Sequence, residues 1–197
     1  RLAKNEIEIL NDKHFNPNQL QAYLKQKPNS YFIFGWNPFL NVYNWQNGKG
    51  KGWDKFVTKI GVAPVVYEAE QVDNSILNLE NRLEYLGYFD SKVESRISVK
   101  RKKVNVTYEV TLGKRYPIKQ LSITLPEGGE FSEAFLKDTS AMTVKVGDYL
   151  SESALEAETE RSSADMRNKG FYTFNKNYYF FEADTLTCPD SALLHLT

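Results

Sequence analysis

The chain has 197 residues, of which 41% are hydrophobic and 14% aromatic, so it has enough apolar material for one or two packed domains. Its 25 Lys and Arg balance 25 Asp and Glu, and this neutral charge argues against a nucleic-acid binder, which needs a basic face. No stretch approaches the roughly 20 consecutive apolar residues that a membrane-spanning helix requires.

The first residues predict a strand followed by a helix. Ile7 and Ile9 lie in a short strand-like opening. Asn16 followed by Pro17 is typical of a helix N-cap with proline at the first helical position. Apolar residues then recur at helical spacing, and Pro28 ends the predicted helix.

Residues from about 30 to 73 are irregular in pattern and are interpreted as an insertion that packs outside the sheet. The insertion begins with an aromatic cluster that we expect to be largely buried: Phe32, Phe34, Trp36 and Phe39. Its centre mixes lysine and tryptophan, in the order Trp45, Lys49, Lys51, Trp53, Lys55 and Lys59. These basic residues could contact an anionic partner, and the aromatic cluster could dock on a partner or lipid headgroups. A solvated loop and local packing are the simpler interpretations, and we favour them.

A second helix is predicted to begin with Ser75 as its N-cap and to end before Gly87. Its buried stripe would consist of Ile76, Leu79, Leu83 and Leu86. The following residues alternate and predict a strand, with Val93, Ile97 and Val99 on one face and Lys92, Glu94, Arg96 and Lys100 on or near the other. A tight polar turn then leads into a second alternating strand, 104–110.

The same order of elements then recurs. Gly87 and Gly170 each follow a helical pattern, precede two aromatic residues and lie 83 residues apart, a domain-sized period. We expect positive φ at both glycines because a left-handed residue commonly ends a helix, and a β-branched replacement should cost about 1–2 kcal/mol. The sequence thus predicts an α+β protein of two tandem β-α-α-β-β modules, residues 1–115 and 116–197.

This tandem arrangement, with its glycine-aromatic-aromatic step, resembles the POTRA (polypeptide-transport-associated) domain. The likeness is carried by NPNQLQAYLKQKPN, NPFLNVYN, IGVAPVVYE, LEYLGYFDSKV, VTYEVTLGKRYPI and VGDYLSESALEAETERSSADMRNKGFYTF, which cover most of the chain in the family's order. It is closer to BamA/TamA-type outer-membrane assembly factors, in their Bacteroidetes form. The resemblance implies three-stranded mixed sheets, each with two helices on one face.

The resemblance also implies a location and partners. The expected location is the periplasm, as a fragment that lacks the family's β-barrel but is attached to one in the full-length protein. The expected partners are unfolded outer-membrane client proteins or accessory assembly proteins, and not nucleic acid. Two alternatives stay open: the substrate-recognition arm of a two-partner-secretion transporter, and a non-transport envelope scaffold, against which the tandem repeat argues.

The resemblance places the second strand of each module at a sheet edge. Unpaired backbone groups at such an edge can accept an extended peptide by strand addition. The alternative interpretation of the charged residues in the first module is that they block its edge, so we favour the aromatic strand of the second. The hypothetical peptide-binding residues are Phe174, Asn175, Lys176, Asn177, Tyr178, Tyr179, Phe180 and Phe181.

Catalysis finds little support in the sequence. His14, His195 and the single cysteine, Cys188, show no motif spacing. Glu156 and Glu160 lie one helical turn apart, and their neighbours Glu158 and Arg161 are also charged. A solvated helix face explains such an acid pair better than acid–base chemistry does. No phosphate loop, dinucleotide fingerprint or zinc spacing occurs, so we expect no enzyme activity, no metal and no cofactor.

Overall fold

A computed structural model describes residues 1–28 and 65–197. These residues belong to two compact units, the first containing Arg1–Glu80 and Lys92–Thr111 and the second Asn81–Ser91 and Leu112–Thr197. The module boundary near residue 115 therefore stays a prediction. The aromatic cluster (Phe32, Phe34, Trp36 and Phe39) and the basic residues between Trp45 and Lys59 lie outside the described residues.

The first unit contains a three-stranded mixed sheet. Its elements are β1 (Leu2–Ile9), a 3₁₀ helix (Pro17–Tyr23), α1 (Ala69–Tyr85), β2 (Lys92–Lys100) and β3 (Lys103–Thr111). The end of α1, from Asn81 onward, is assigned to the second unit. The strand order is β1-β3-β2, with β1 parallel and β2 antiparallel to β3. The core consists of apolar side chains from all three strands and α1, among them Ile7, Val93, Tyr108, Val72 and Leu79.

The two helical segments of the first unit differ from the predictions in their bounds. Asn16 does cap the first, since its side chain accepts a hydrogen bond from the Asn18 N–H at 3.0 Å, but this segment is a 3₁₀ helix that ends at Tyr23. Ser75 is not an N-cap, because α1 begins at Ala69 and the insertion therefore ends before residue 69. The buried Ser75 hydroxyl instead donates to the Gln71 carbonyl at 2.6 Å, a bond that satisfies a serine in mid-helix.

The second unit repeats the topology of the first. Its elements are β4 (Ile118–Ile123), α2 (Glu130–Asp138), α3 (Glu152–Asn168), β5 (Phe181–Asp184) and β6 (Ala192–Leu196), with short 3₁₀ helices at Thr139–Ala141 and Lys176–Tyr178. The strand order is β4-β6-β5, with β4 parallel and β5 antiparallel to β6. Both sheets are therefore mixed, as the tandem POTRA-like fold predicts.

A buried ionic cluster joins α2 to α3 in the second unit. The Arg161 guanidinium donates to both carboxylate oxygens of Asp138, at 3.2 and 2.8 Å, and to both of Glu158, at 3.2 and 2.7 Å. Glu158, which is only 1% exposed, also accepts from the backbone N–H and the hydroxyl of Thr143. The solvated face predicted for Glu156 and Glu160, which are both exposed, does not extend to Glu158 and Arg161, because the arginine fork neutralises two buried carboxylates.

The cluster also sets the ionisation of Asp138. Burial alone would raise the pKa of this carboxyl, but hydrogen bonds from Arg161 and Ser162, together with the Arg161 charge, lower the pKa from 3.8 to about 2. A carboxyl whose pKa is lowered by folding stabilises the folded state above its unfolded-state pKa. This contribution is lost as the pH falls through the folded-state value.

Two glycines end helices with positive φ, 85° at Gly87 and 103° at Gly170. Their surroundings differ. A Cβ added at Gly87 would lie 2.2 Å from the Leu150 carbonyl oxygen of the same compact unit, whereas a Cβ at Gly170 would meet no atom within 4 Å. Gly87 is therefore required by both its backbone conformation and its neighbour, and Gly170 by its conformation alone.

The turn between β2 and β3 consists of two residues with positive φ, Arg101 at 50° and Lys102 at 62°. Such a pair of left-handed residues matches the right-handed twist of a hairpin, and Asn-Gly is the preferred sequence. Arginine and lysine adopt this conformation only at a cost in free energy.

We predict that Gly87→Ala destabilises the second unit more than Gly170→Ala does. The second change should cost about 1–2 kcal/mol for left-handed backbone, and the first should cost more because its methyl group displaces the Leu150 carbonyl. Amide hydrogen exchange in α3 measures the free energy of unfolding of this unit. Equal losses in the two variants would contradict the steric argument.

A second prediction concerns the hairpin turn. The double change Arg101→Asn and Lys102→Gly should raise the free energy of unfolding of the first unit by about 1–2 kcal/mol, because it removes two strained residues. Amide exchange in β3 provides the measurement. A turn variant that is less stable than the parent chain would refute this account of the hairpin.

A third prediction concerns acid stability. The second unit should lose about 2 kcal/mol as the pH falls from about 4 to about 2, because the pKa of Asp138 is lowered by nearly two units in the folded state. Asp138→Asn should show a smaller dependence than the parent chain. A remainder is expected from Glu158, because burial raises the pKa of this carboxyl but hydrogen bonds from Arg161 and Thr143 lower it by more. Glu160→Gln, at an exposed position of α3, should retain the full dependence. Exchange rates of α3 amides across this pH range provide the test, and an unchanged profile in Asp138→Asn would contradict the assignment.

Candidate peptide-binding edges

The edge of β2 carries a row of backbone groups that point away from the sheet. In an antiparallel pair, residues alternate between those that bond to the neighbouring strand and those that point outward. Lys100 and Lys103 close the two-residue turn as a directly opposed, hydrogen-bonded pair. The residues that point their N–H and C=O outward are therefore Val93, Ser95, Ile97 and Val99. The Val93 N–H donates to Glu80 Oε1 at 3.1 Å, which agrees with this alternation.

Beyond Val93, the outward groups of β2 have no partner within the described part of the chain. Ser95, Ile97 and Val99 thus offer three N–H and three C=O groups on consecutive outward positions. Arg96, which could obstruct the edge, instead pairs across the sheet with Glu109 at 2.7 Å and Glu8 at 3.5 Å. Charged side chains therefore obstruct the β2 edge less than its sequence suggests.

The side chains of these edge residues are also only partly covered. Ile97 and Val99 lie directly opposite Val106 and Val104, so they share the core-facing side of the sheet. Yet Ile97 is 45% exposed and Val99 is 69% exposed, whereas Val93 is buried. The open edge therefore has apolar side chains as well as free backbone groups.

The second unit has a shorter open edge at β5. Phe180 and Thr197 exchange two backbone hydrogen bonds, at 3.0 and 2.9 Å, so the outward residues of the following strand are Phe181 and Ala183. Neither has an outward backbone partner among the residues that the structure describes. This edge offers two outward residues, compared with three free ones on β2.

The structure corrects the prediction of an aromatic strand over residues 174–181. Only Phe181 lies in a strand, and Lys176–Tyr178 form a 3₁₀ helix capped by the side chain of Asn175, which accepts from the Asn177 N–H at 3.0 Å. The exposed Lys176 side chain also forms ion pairs with α3, since its Nζ lies 3.4 Å from Glu156 Oε1 and 3.8 Å from Glu160 Oε1. These local bonds hold the segment out of the sheet.

Aromatic packing gives the second reason for this conformation. The ring of Phe174 lies 4.8 Å from that of Phe131 on α2, and the ring of Tyr179 lies 5.3 Å from Phe174. A straight strand would alternate its side chains between two faces and could not bring these rings together. Tyr178 and Phe180 remain largely exposed.

The family profile described as "POTRA: Surface antigen variable number repeat" matches residues 4–113, which is more than half of the chain. The chain belongs to the POTRA family. The match covers the first unit, and the second unit has the same strand order and the same mixture of parallel and antiparallel pairs. None of the curated protein sequences matches the chain.

Solved POTRA structures resemble the chain at low identity. BamA POTRA3-5 from Haemophilus influenzae is 13% identical over 99% of this chain and 65% of that one, with a TM-score of 0.47. BamA from Haemophilus ducreyi lacking POTRA domains 1-3 is 16% identical over 69% of this chain and 24% of that one, with a TM-score of 0.41. POTRA1-2 of the periplasmic domain of Omp85 from Anabaena is 10% identical over 99% and 92% of the two chains, with a TM-score of 0.35. The chain thus spans less than two thirds of the two BamA structures.

The second unit of this POTRA chain also contains an apolar cavity of about 450 Å³. It is lined by Thr124, Leu125, Pro126, Phe131, Phe135, Phe174, Tyr178, Tyr179, Leu196 and Thr197. The predicted peptide-binding stretch therefore contributes Phe174, Tyr178 and Tyr179 to a cavity wall rather than to a strand edge. Sequence reasoning missed the contribution of α2, because its two phenylalanines are typical of any amphipathic helix.

The histidine and cysteine candidates have local partners. His195 Nδ1 lies 2.8 Å from the Ser122 hydroxyl, and its Nε2 lies 3.3 Å from that of Thr124. Lys119 Nζ donates to the Cys188 sulfur at 3.7 Å. These contacts connect β4 and the residue that follows it to β6 and to the segment that precedes β6.

Residues 1–28 and 65–197 contain no group of three side chains placed to hold a metal ion. His14 lies in the turn before the 3₁₀ helix, where its backbone N–H donates to the Asp12 carboxylate at 2.8 Å. None of the helices in these ranges combines the length and the apolar character needed to cross a membrane.

Proposed function

We propose that this chain is the periplasmic scaffold portion of an outer-membrane protein assembly or translocation factor. It receives unfolded clients or accessory proteins by strand addition at the open edges β2 and β5. Membership of the POTRA family supports the assignment to such a factor. The observation that carries the mechanism is the set of outward N–H and C=O groups on both edge strands.

Strand addition fits a factor that handles many clients. An added strand bonds through its backbone, so affinity does not require a particular client sequence. β2 offers the longer free edge, with Ser95, Ile97 and Val99, and is the principal site in this proposal. β5, with Phe181 and Ala183, is a second and shorter one.

The edge geometry also favours release. The exposed apolar surface of this edge consists of two aliphatic side chains, Ile97 and Val99, so it adds modest apolar contact to the backbone bonds. Binding limited to a few backbone bonds and two aliphatic side chains is weak, and a scaffold that passes clients onward requires weak binding.

We predict that Ile97→Pro weakens binding of an extended outer-membrane-strand peptide about tenfold, whereas Ile97→Val leaves it nearly unchanged. Proline removes the outward N–H but no bond to β3, and valine keeps the N–H with a similar side-chain volume. Peptide titration followed by amide chemical shifts measures both affinity and location.

The same spectra separate the two edges. Shifts at Ser95 and Val99 place the peptide on β2, and shifts at Phe181 and Ala183 place it on β5, where Ala183→Pro and Ala183→Val form the equivalent pair of variants. Retained β3 shifts in Ile97→Pro show that the fold survives the substitution. Perturbations confined to the helices would refute strand addition at either edge.

A further inference from the structure

The end of the β2 edge carries a run of positive charge. Lys100, Arg101, Lys102 and Lys103 are four consecutive cations at the hairpin tip, and all four are exposed. None of them takes part in an ion pair among the described residues. The chain as a whole has no net charge, so this run is a local feature.

The cations lie next to the open edge described above. The outward backbone groups and exposed side chains of Ile97 and Val99 end where the basic tip begins. Three kinds of attraction thus coincide over a short length: free hydrogen-bonding groups, apolar surface and positive charge.

We propose that the β2 edge selects extended peptides that alternate apolar and polar residues and carry acidic residues flanking that stretch. This inference rests on the proposed function and names the class of client for its principal site. Alternation places apolar client side chains beside Ile97 and Val99, because directly opposed residues of neighbouring strands share a face. Flanking carboxylates then lie beside the tip cations, whose attraction favours the acidic peptide over a neutral one.

An anionic lipid surface would also attract a basic tip with apolar neighbours. The backbone argues against it as the occupant. Burial of Ile97 and Val99 in lipid would place their outward N–H and C=O groups in an environment that offers no hydrogen-bond partner, and each unsatisfied group costs free energy. An extended peptide satisfies the same groups, so the peptide is the occupant that fits all three features.

The test uses the whole chain and labelled peptides of alternating valine and threonine, flanked at both ends by glutamate, glutamine or lysine pairs. Flanking both ends makes the result independent of strand direction. At low salt the glutamate-flanked peptide should bind about tenfold more tightly than the glutamine-flanked one, and the lysine-flanked peptide more weakly than either. The preference should disappear near 1 M salt, where the Debye length is about 3 Å.

A matched pair of variants assigns the preference to the tip. The change Arg101→Asn with Lys102→Gly removes half of the tip charge in a turn sequence that suits the hairpin, so the preference should fall to about threefold. Lys137→Gln with Lys145→Gln removes the same charge from exposed positions of the second unit and should keep the full preference. Equal effects of the two double variants would overturn the assignment to the tip.

The remaining outcomes separate this inference from the proposed function. Equal affinity for the glutamate- and glutamine-flanked peptides would overturn the acidic preference and leave strand addition intact. Binding of neither peptide would overturn strand addition and the preference together. Binding of phosphatidylglycerol vesicles without any peptide binding would overturn the peptide proposal in favour of a membrane surface.

Discussion

The position of the last strand of each module governs the rest of this structure. β3 and β6 come last in their modules, yet each lies in the centre of its sheet, parallel to the first strand and antiparallel to the second. A parallel pair requires a crossover connection, and the intervening helices provide it. The second strand then has only one neighbour, so its outer backbone groups have no partner within the sheet. The open edges on which the proposed function depends are thus a consequence of strand order.

The two units satisfy the same topology with different interiors. In the first, apolar residues of α1 such as Val72 and Leu79 are buried in the core. In the second, α3 buries polar residues, and Arg161 compensates two buried carboxylates, Asp138 and Glu158. Breaking one partner of such a cluster leaves an uncompensated buried charge, which makes the cluster costly to disturb. The cluster connects α2 to α3 through Arg161 and Asp138.

Free edges are a hazard as well as a binding surface, because they can pair with any other exposed strand. β5 limits the hazard by being short, and the segment before it is held in a capped 3₁₀ turn. β2 is longer, and its tip is strongly cationic, so two copies of this edge would repel each other. The same charge that discourages self-association gives the edge a preference for acidic partners in the proposal above.

Sequence patterns determined the features that depend on neighbouring residues. The glycine-aromatic-aromatic steps at Gly87 and Gly170, the alternation of β2 and the order of elements follow from local backbone preference and side-chain period, and they predict the tandem fold. The Asn16 cap is another case, since its bond spans two residues. Such signals need no information about distant parts of the chain.

Tertiary structure alone decided the burial and pairing of residues distant in sequence. Ser75 lies within α1 because its hydroxyl, which resembles a cap in the sequence, bonds to the preceding turn and to the Lys25 N–H, 50 residues earlier. The sequence predicts a strand over residues 174–181, but their conformation is determined by aromatic packing against Phe131. Arg161 likewise binds Asp138, which lies 23 residues earlier in the chain. The exposure of Ile97 and Val99 is likewise invisible in their alternating pattern, because the period of a strand assigns a face while only the packed neighbours determine whether that face is covered.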